Sequence, residues 1–281
     1  MGAPMATRLV DAGFDVTVHN RTRSREEPLA SSGARRAASP AQAAREAQVL
    51  FLMIADTPDV QEVLFGEEGA AGTLQPGSIV VDMSTISPRT TREMAARLAR
   101  TGVGFLDAPV SGGSEGAANG TLSIMLGGEA RHLEQVRPLL EVLGSKITHV
   151  GPAGSGQVAK AVNQVIIAGT YQAVAEGVAL ALKAGIDVER TLEAVSGGAA
   201  GSWVLSNRAG NMVRNEYPLG FRTRLHHKDL GIALAAAREL GVSLPVAAFV
   251  EQLETSLLAR ELGEEDVSNL ARIAREQANL D

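Results

Sequence analysis

Gly2-Ala3-Pro4-Met5-Ala6-Thr7-Arg8-Leu9-Val10-Asp11-Ala12-Gly13-Phe14-Asp15-Val16-Thr17-Val18-His19-Asn20 reads as a helix running into a strand. Gly13 suits the helix C-cap, because glycine enters the left-handed backbone there without a side-chain clash. Phe14–Asn20 then has the β-branched, alternating character of an extended segment. The same strand–helix rhythm continues downstream. Val49–Ile54, Ser78–Asp82 and Gly104–Asp107 are short apolar runs bounded by Gly, Pro or Asp, hence strands. Ala41–Ala47 and Thr90–Arg100 are helix-forming stretches, with Pro40 and Pro88 where a helix start tolerates proline. Thr121–Leu126 and Lys146–Val150 add two strands around a helix at Glu129–Leu143. Repeated β-then-α of this kind predicts an α/β domain with a doubly wound, parallel, Rossmann-type sheet. Nothing before Gly2 could serve as the first strand, which is central in such a sheet. The reading therefore expects roughly ten residues upstream of Met1.

After Gly151 the strand signal stops. Gly151-Pro152-Ala153-Gly154-Ser155-Gly156 is a turn, and a long helical pattern runs from Gln157 to about Lys183. Further helices fit Val188–Val195, Ser202–Val213, His227–Leu240, Val246–Leu262 and Asp266–Gln277. The expected organisation is an α/β domain over residues 1–155 and an all-α domain over 156–281. Trp203, the single tryptophan, is expected in the helical core.

Composition narrows the function classes. The 281 residues are 45% hydrophobic and 21% charged, enough to bury real cores. The net charge of −6 speaks against a dedicated nucleic-acid binder, which needs a basic face. With no cysteine there is no disulfide, zinc–thiolate site or thiol nucleophile, which suits a cytoplasmic setting. The densest apolar run, Val49–Ala55, is far short of the ~18 residues that span a bilayer, so no membrane partner is expected.

Four stretches carry chemistry. His19-Asn20-Arg21-Thr22-Arg23 ends the first strand with cations and amide donors and has no carboxylate before Glu26. NAD-binding folds usually place Asp or Glu there for the ribose 2′-hydroxyl, whereas Arg21 with Asn20 and Thr22 suits a 2′-phosphate. A solvated basic turn is the plain alternative. Asp107-Ala108-Pro109-Val110-Ser111-Gly112-Gly113 follows a strand, at the sheet edge where such folds bind ligands. Its glycines let backbone N–H groups approach an anion, though an idle glycine-rich turn has the same composition. On the long helix Lys160, Asn163 and Gln164 stand at i, i+3 and i+4, one polar face on an apolar rod. A lysine facing solvent is the plain alternative. Phe221 precedes His226-His227-Lys228-Asp229-Leu230. No metal site is expected. Adjacent histidines do not share a helix face, and His19, His132 and His149 lack ligand spacing.

These motifs resemble the β-hydroxyacid dehydrogenase family along essentially the whole chain. Met1-Gly2-Ala3-Pro4-Met5-Ala6 is similar to the tail of that family's glycine fingerprint, with Gly2 standing for its third glycine. The resemblance implies hydride transfer between NADP(H), with NAD as an alternative, and a small β-hydroxy acid or its semialdehyde. It implies coenzyme contacts at Gly2, Asn20, Arg21, Thr22, Met53, Ile54, Thr85 and Lys228. It implies substrate contacts at Ser111, Gly112, Gly113, Asn163, Gln164, Phe221 and Asp229, and Lys160 as the catalytic acid and base. By analogy the chain is a homodimer or homotetramer. Imine reductases of similar fold generally lack this lysine, so Lys160 favours carbonyl chemistry. An imine reductase, or a non-catalytic binding or oligomerisation module, is the alternative. 6-Phosphogluconate dehydrogenase shares the fold but has a far larger helical domain.

Overall fold

The computed structural model describes residues 1–280. They form two compact units, residues 1–160 and 161–280, whose division falls within one long helix. In chain order the first unit contains α1 (Gly2–Asp11), β1 (Thr17–Val18), α2 (Glu27–Ser31), β2 (Arg35–Arg36), α3 (Pro40–Ala44), β3 (Val49–Leu52), α4 (Thr57–Phe65), β4 (Ile79–Asp82), α5 (Pro88–Ala99), β5 (Gly104–Asp107), β6 (Val110–Ser111), α6 (Gly113–Asn119), β7 (Leu122–Gly128), α7 (Ala130–Leu143), β8 (Gly144–Gly151) and the start of α8 (Ser155–Ala184).

Strands β3, β4 and β5 pair in parallel, so Leu52, Asp82 and Asp107 end adjacent strands at one edge. The sheet is mixed rather than wholly parallel. Only two residues separate β5 from β6, too few for a crossover, and both strands run antiparallel to β7. Helix α7 supplies the crossover that makes β7 and β8 parallel. Strand β1 is shorter than Phe14–Asn20, because its ladder with β2 holds only Thr17 opposite Arg35 and Val18 opposite Arg36. This pair is a separate two-stranded sheet.

Successive side chains of the central strands point to opposite faces, and both faces are covered. Val81 and Leu106 join Met5, Leu9, Leu133, Val136 and Leu140 of α1 and α7 on one side. Val80 and Phe105 join Val60, Leu64, Met94 and Leu98 of α4 and α5 on the other. Helix ends follow the local chemistry: Ser39, Asp56 and Ser87 cap α3, α4 and α5, each with a proline in the first turn. After α1, Gly13 takes φ +86°.

The second unit is helical: the remainder of α8, α9 (Val188–Ser196), α10 (Trp203–Arg214), α11 (Thr223–Leu240), α12 (Pro245–Ala259) and α13 (Leu270–Gln277). Its core holds Ala168, Tyr171, Val174, Val178, Met212, Leu230, Val250, Leu257 and Leu270. On length and composition α8 could cross a membrane. Its inward face is instead this helical core. Trp203 corrects the sequence expectation, being 58% exposed. Helix α10 buries Val204, Leu205, Ala209 and Met212, and Trp203 lies off that stripe beneath the Arg208 guanidinium at 4.7 Å.

Candidate active site

The carboxyl ends of β3, β4 and β5 bring three of the motif loops to one sheet edge. After β3, the Ile54 amide donates to Ser84 Oγ at 2.9 Å, and after β4 the Ser84 amide donates to Asp82 Oδ1 at 3.0 Å. Met53–Ile54 and the loop bearing Thr85 are thereby tied together. Gly2, at the start of α1, lies against Met53: a Cβ on Gly2 would sit 3.5 Å from Met53 Cβ, an ordinary contact. After β5, Ser111 ends β6 and pairs with Ser123 of β7. The segment that follows is a helix, α6, rather than an irregular glycine-rich loop. Gly112 (φ +131°) and Gly113 (φ +63°) turn the chain into its N-terminus, a backbone that other residues rarely adopt.

Two residues to which the sequence reading assigned no role fix the start of α8. Asp107 is fully buried; its Oδ1 accepts from the Gly154 amide at 2.8 Å and its Oδ2 from the Gln157 amide at 2.9 Å. Burial raises its pKa above the ordinary carboxyl value, and the amides of Gly154 and Gln157 oppose that rise. Gln157 grips the loop on either side of Thr85. Its Oε1 accepts from the Ile86 amide at 3.0 Å and its Nε2 donates to the Ser84 carbonyl at 2.8 Å. A strand-terminal acid and an amide in the first turn of the long helix were the available sequence signals. The approach needs glycine on both surfaces. A Cβ on Gly156 would come within 2.5 Å of the Met125 carbonyl oxygen, and one on Gly127 within 2.8 Å of the Gly156 nitrogen. One turn beyond Gln157 on this anchored helix is Lys160, 7% exposed.

Four polar residues of the second unit form one connected run. Asn163 Nδ2 donates to Gln164 Oε1 at 2.7 Å, and Gln164 Nε2 donates to Asp229 Oδ2 at 2.5 Å. Lys228 Nζ lies 2.9 Å from Asp229 Oδ1. Phe221 meets the His226 ring edge-to-face at 5.8 Å. His226 Nδ1 is 2.5 Å from Glu254 Oε1, whereas His227 turns to Glu251 and Thr255, so the two rings diverge. Asn163, Gln164, Lys228 and Asp229 are thus neighbours, and Phe221 reaches them through His226, whose Nε2 lies 3.4 Å from the Gln164 carbonyl oxygen.

At the carboxyl end of β1, Asn20 Nδ2 donates to the Thr22 carbonyl at 2.9 Å, and Arg21 extends into solvent, 92% exposed and 3.8 Å from Asp59. The buried carboxylate of Glu26 accepts from the Asn20 amide and from Arg23 and Arg36. Burial works against its ionisation, but the Arg36 hydrogen bond, the Asn20 amide and the nearby arginine charges outweigh that and hold its pKa below the ordinary value. This donor-rich turn could hold the phosphate-bearing end of a dinucleotide, and the backbone at Gly113, with nothing within 4 Å of where a Cβ would sit, leaves room for a small anion.

A doubly wound domain with a donor-rich strand end, followed by a helical unit, has the architecture of a dinucleotide-binding protein. Residues 1–151 match the model of the NAD-binding domain of 6-phosphogluconate dehydrogenase, and residues 154–274 that of the NAD-binding domain of NADP-dependent 3-hydroxyisobutyrate dehydrogenase. The chain is 40% identical to 2-hydroxy-3-oxopropionate reductase of Escherichia coli over 99% of its own length and 95% of the relative's. It is similar to the structure of Mycobacterium tuberculosis 3-hydroxyisobutyrate dehydrogenase with L-serine, at TM-score 0.91 and 31% identity, covering 98% of this chain and 96% of that one. An imine reductase from Myxococcus stipitatus (TM-score 0.63, 22% identity, 97% and 95% covered) shares the fold alone. The chain belongs to the β-hydroxyacid dehydrogenase family of NAD(P)-dependent oxidoreductases.

Proposed function

We propose that the protein interconverts a small β-hydroxy acid and its semialdehyde with NADP(H) as the preferred coenzyme, and that Lys160 is its acid and base. The observation that carries this reading is a buried lysine on a helix whose first turns are fixed by Asp107 and Gln157 to the ligand-binding edge of the sheet. When bound, the coenzyme supplies or accepts the hydride at the carbonyl carbon. Ser111, Gly112 and Gly113 hold the substrate carboxylate through hydroxyl and backbone N–H groups. During reduction the Lys160 ammonium donates a hydrogen bond to the carbonyl oxygen and gives up a proton as the oxygen becomes a hydroxyl. During oxidation neutral Lys160 takes that proton back. Asn163, Gln164, Phe221 and Asp229 orient the substrate. Gly2, Asn20, Arg21, Thr22, Met53, Ile54, Thr85 and Lys228 contact the coenzyme. Residues 1–155 serve as the coenzyme domain and 156–281 as the substrate and assembly domain. A cytoplasmic homodimer or homotetramer is part of the same reading, supported by the exposed apolar row Val162, Ile166 and Leu180 on α8.

Lys160→Ala tests the assignment. Loss of a positioned acid lowers kcat by about 10²–10⁴-fold while coenzyme affinity is retained. Turnover comparable to wild type would reject Lys160. Assays of glyoxylate, succinic semialdehyde, tartronate semialdehyde and 3-hydroxyisobutyrate with each coenzyme identify the substrate, and reduction of a cyclic imine in place of all four would favour the imine reductase alternative.

A further inference from the structure

Glu26 is 1% exposed, in the single helical turn that follows β1. A carboxylate near this strand end is what a dinucleotide fold uses to accept the ribose hydroxyls. Glu26 is already engaged. Its Oε1 accepts from the Asn20 amide at 2.7 Å and from Arg23 Nη1 at 3.0 Å, and its Oε2 accepts from Arg36 Nε at 2.8 Å. What these bonds achieve is to fix two guanidinium groups. Arg36 Nη2 also donates to the Arg23 carbonyl at 3.0 Å, and Arg23 Nη1 to the Ala37 carbonyl. Each arginine is held along one side, leaving Arg23 Nε and Nη2 and Arg36 Nη1 for a further acceptor. Both side chains are partly open to solvent. Two cations share one carboxylate, so a positive remainder faces outward.

We propose that Glu26 is a positioning residue that sets coenzyme choice, holding Arg23 and Arg36 as a fixed pair whose outward N–H groups receive the adenosine 2′-phosphate of an NADP-type dinucleotide. The proposal rests on the coenzyme reading above. Guanidinium forks match phosphate oxygens, and arginines already held in place lose less side-chain freedom on binding than the extended Arg21.

Equilibrium fluorescence titration of the full chain with NADPH and with NADH, and competition by 2′,5′-ADP against 5′-ADP, tests it on wild type, Glu26→Gln and Arg36→Ala. Wild type binds NADPH more tightly than NADH. Arg36→Ala loses about tenfold or more in NADPH affinity, the scale of a charge-assisted hydrogen bond, with NADH affinity little changed. Glu26→Gln narrows the NADPH-to-NADH ratio, and 2′,5′-ADP loses its advantage over 5′-ADP in both variants. Thermal unfolding without coenzyme checks each variant's fold; should Glu26→Gln fail it, Glu26→Asp, which keeps the charge on a shorter arm, replaces it. Equal losses for both coenzymes would mark a merely structural carboxylate and overturn the proposal. A wild type preferring NADH overturns it too while leaving the dinucleotide reading standing, and a wild type that binds neither removes both.

Discussion

Among individual side chains, Glu26 and Asp107 are buried carboxylates that burial treats alike and neighbours treat differently. At Glu26 the hydrogen bonds and arginine charges win, so its folded pKa lies below the ordinary 4.5. Its stabilising contribution is present above that ordinary value and is lost as pH falls through the lower folded one. Glu26→Gln should therefore flatten the acid limb of the stability profile. At Asp107 desolvation wins and the folded pKa lies above the ordinary 3.8. Its contribution is fully present below the ordinary value and is lost as pH rises through the folded one. The stability advantage of wild type over Asp107→Asn should accordingly shrink as pH rises from the acid side. Urea unfolding of the three proteins from about pH 2 to about pH 7 covers both windows, and a parallel trend in the two variants would contradict the assignment.

Of the individual elements, α8 depends most on a contact without slack. Its first turn meets β5 and β7 through Gly156 and Gly127, where an added methyl would strike backbone. Gly156→Ala should cost about 1–3 kcal/mol, the usual penalty of overpacking, seen as a lower denaturant midpoint. It should also reduce kcat, because Lys160 rides on the displaced turn. The strands and helices were largely legible in the sequence because apolar runs and proline-marked helix starts are local signals. The hydrogen-bonded run through Asn163, Gln164 and Asp229 was legible only as motifs, since no spacing joins two distant helices. Asp107 and Gln157 carried no legible role because their work is done on distant backbone groups, the Gly154 amide 47 positions away and the Ser84 carbonyl 73 positions away, respectively. Trp203 misled because aromatic character favours burial, whereas its place on α10 and the Arg208 contact decide its exposure. The extent of β1 was equally out of reach, being set by a partner strand rather than by its own residues.

For the molecule as a whole, each unit carries its own apolar core, and the first unit has one on each face of its sheet. A coenzyme that binds only the folded form stabilises it by mass action, by about 2.7 kcal/mol at a hundredfold excess over Kd. Scanning calorimetry should show a higher Tm with NADPH, and an unchanged Tm at saturating coenzyme would speak against binding altogether. The bare backbone contact between Gly127 and Gly156 has a further use as a diagnostic for relatives. A newly sequenced homologue with bulkier residues at both places would have to begin its longest helix at another point on the sheet. Chemistry should not be transferred to such a homologue on overall similarity, even if its lysine is intact.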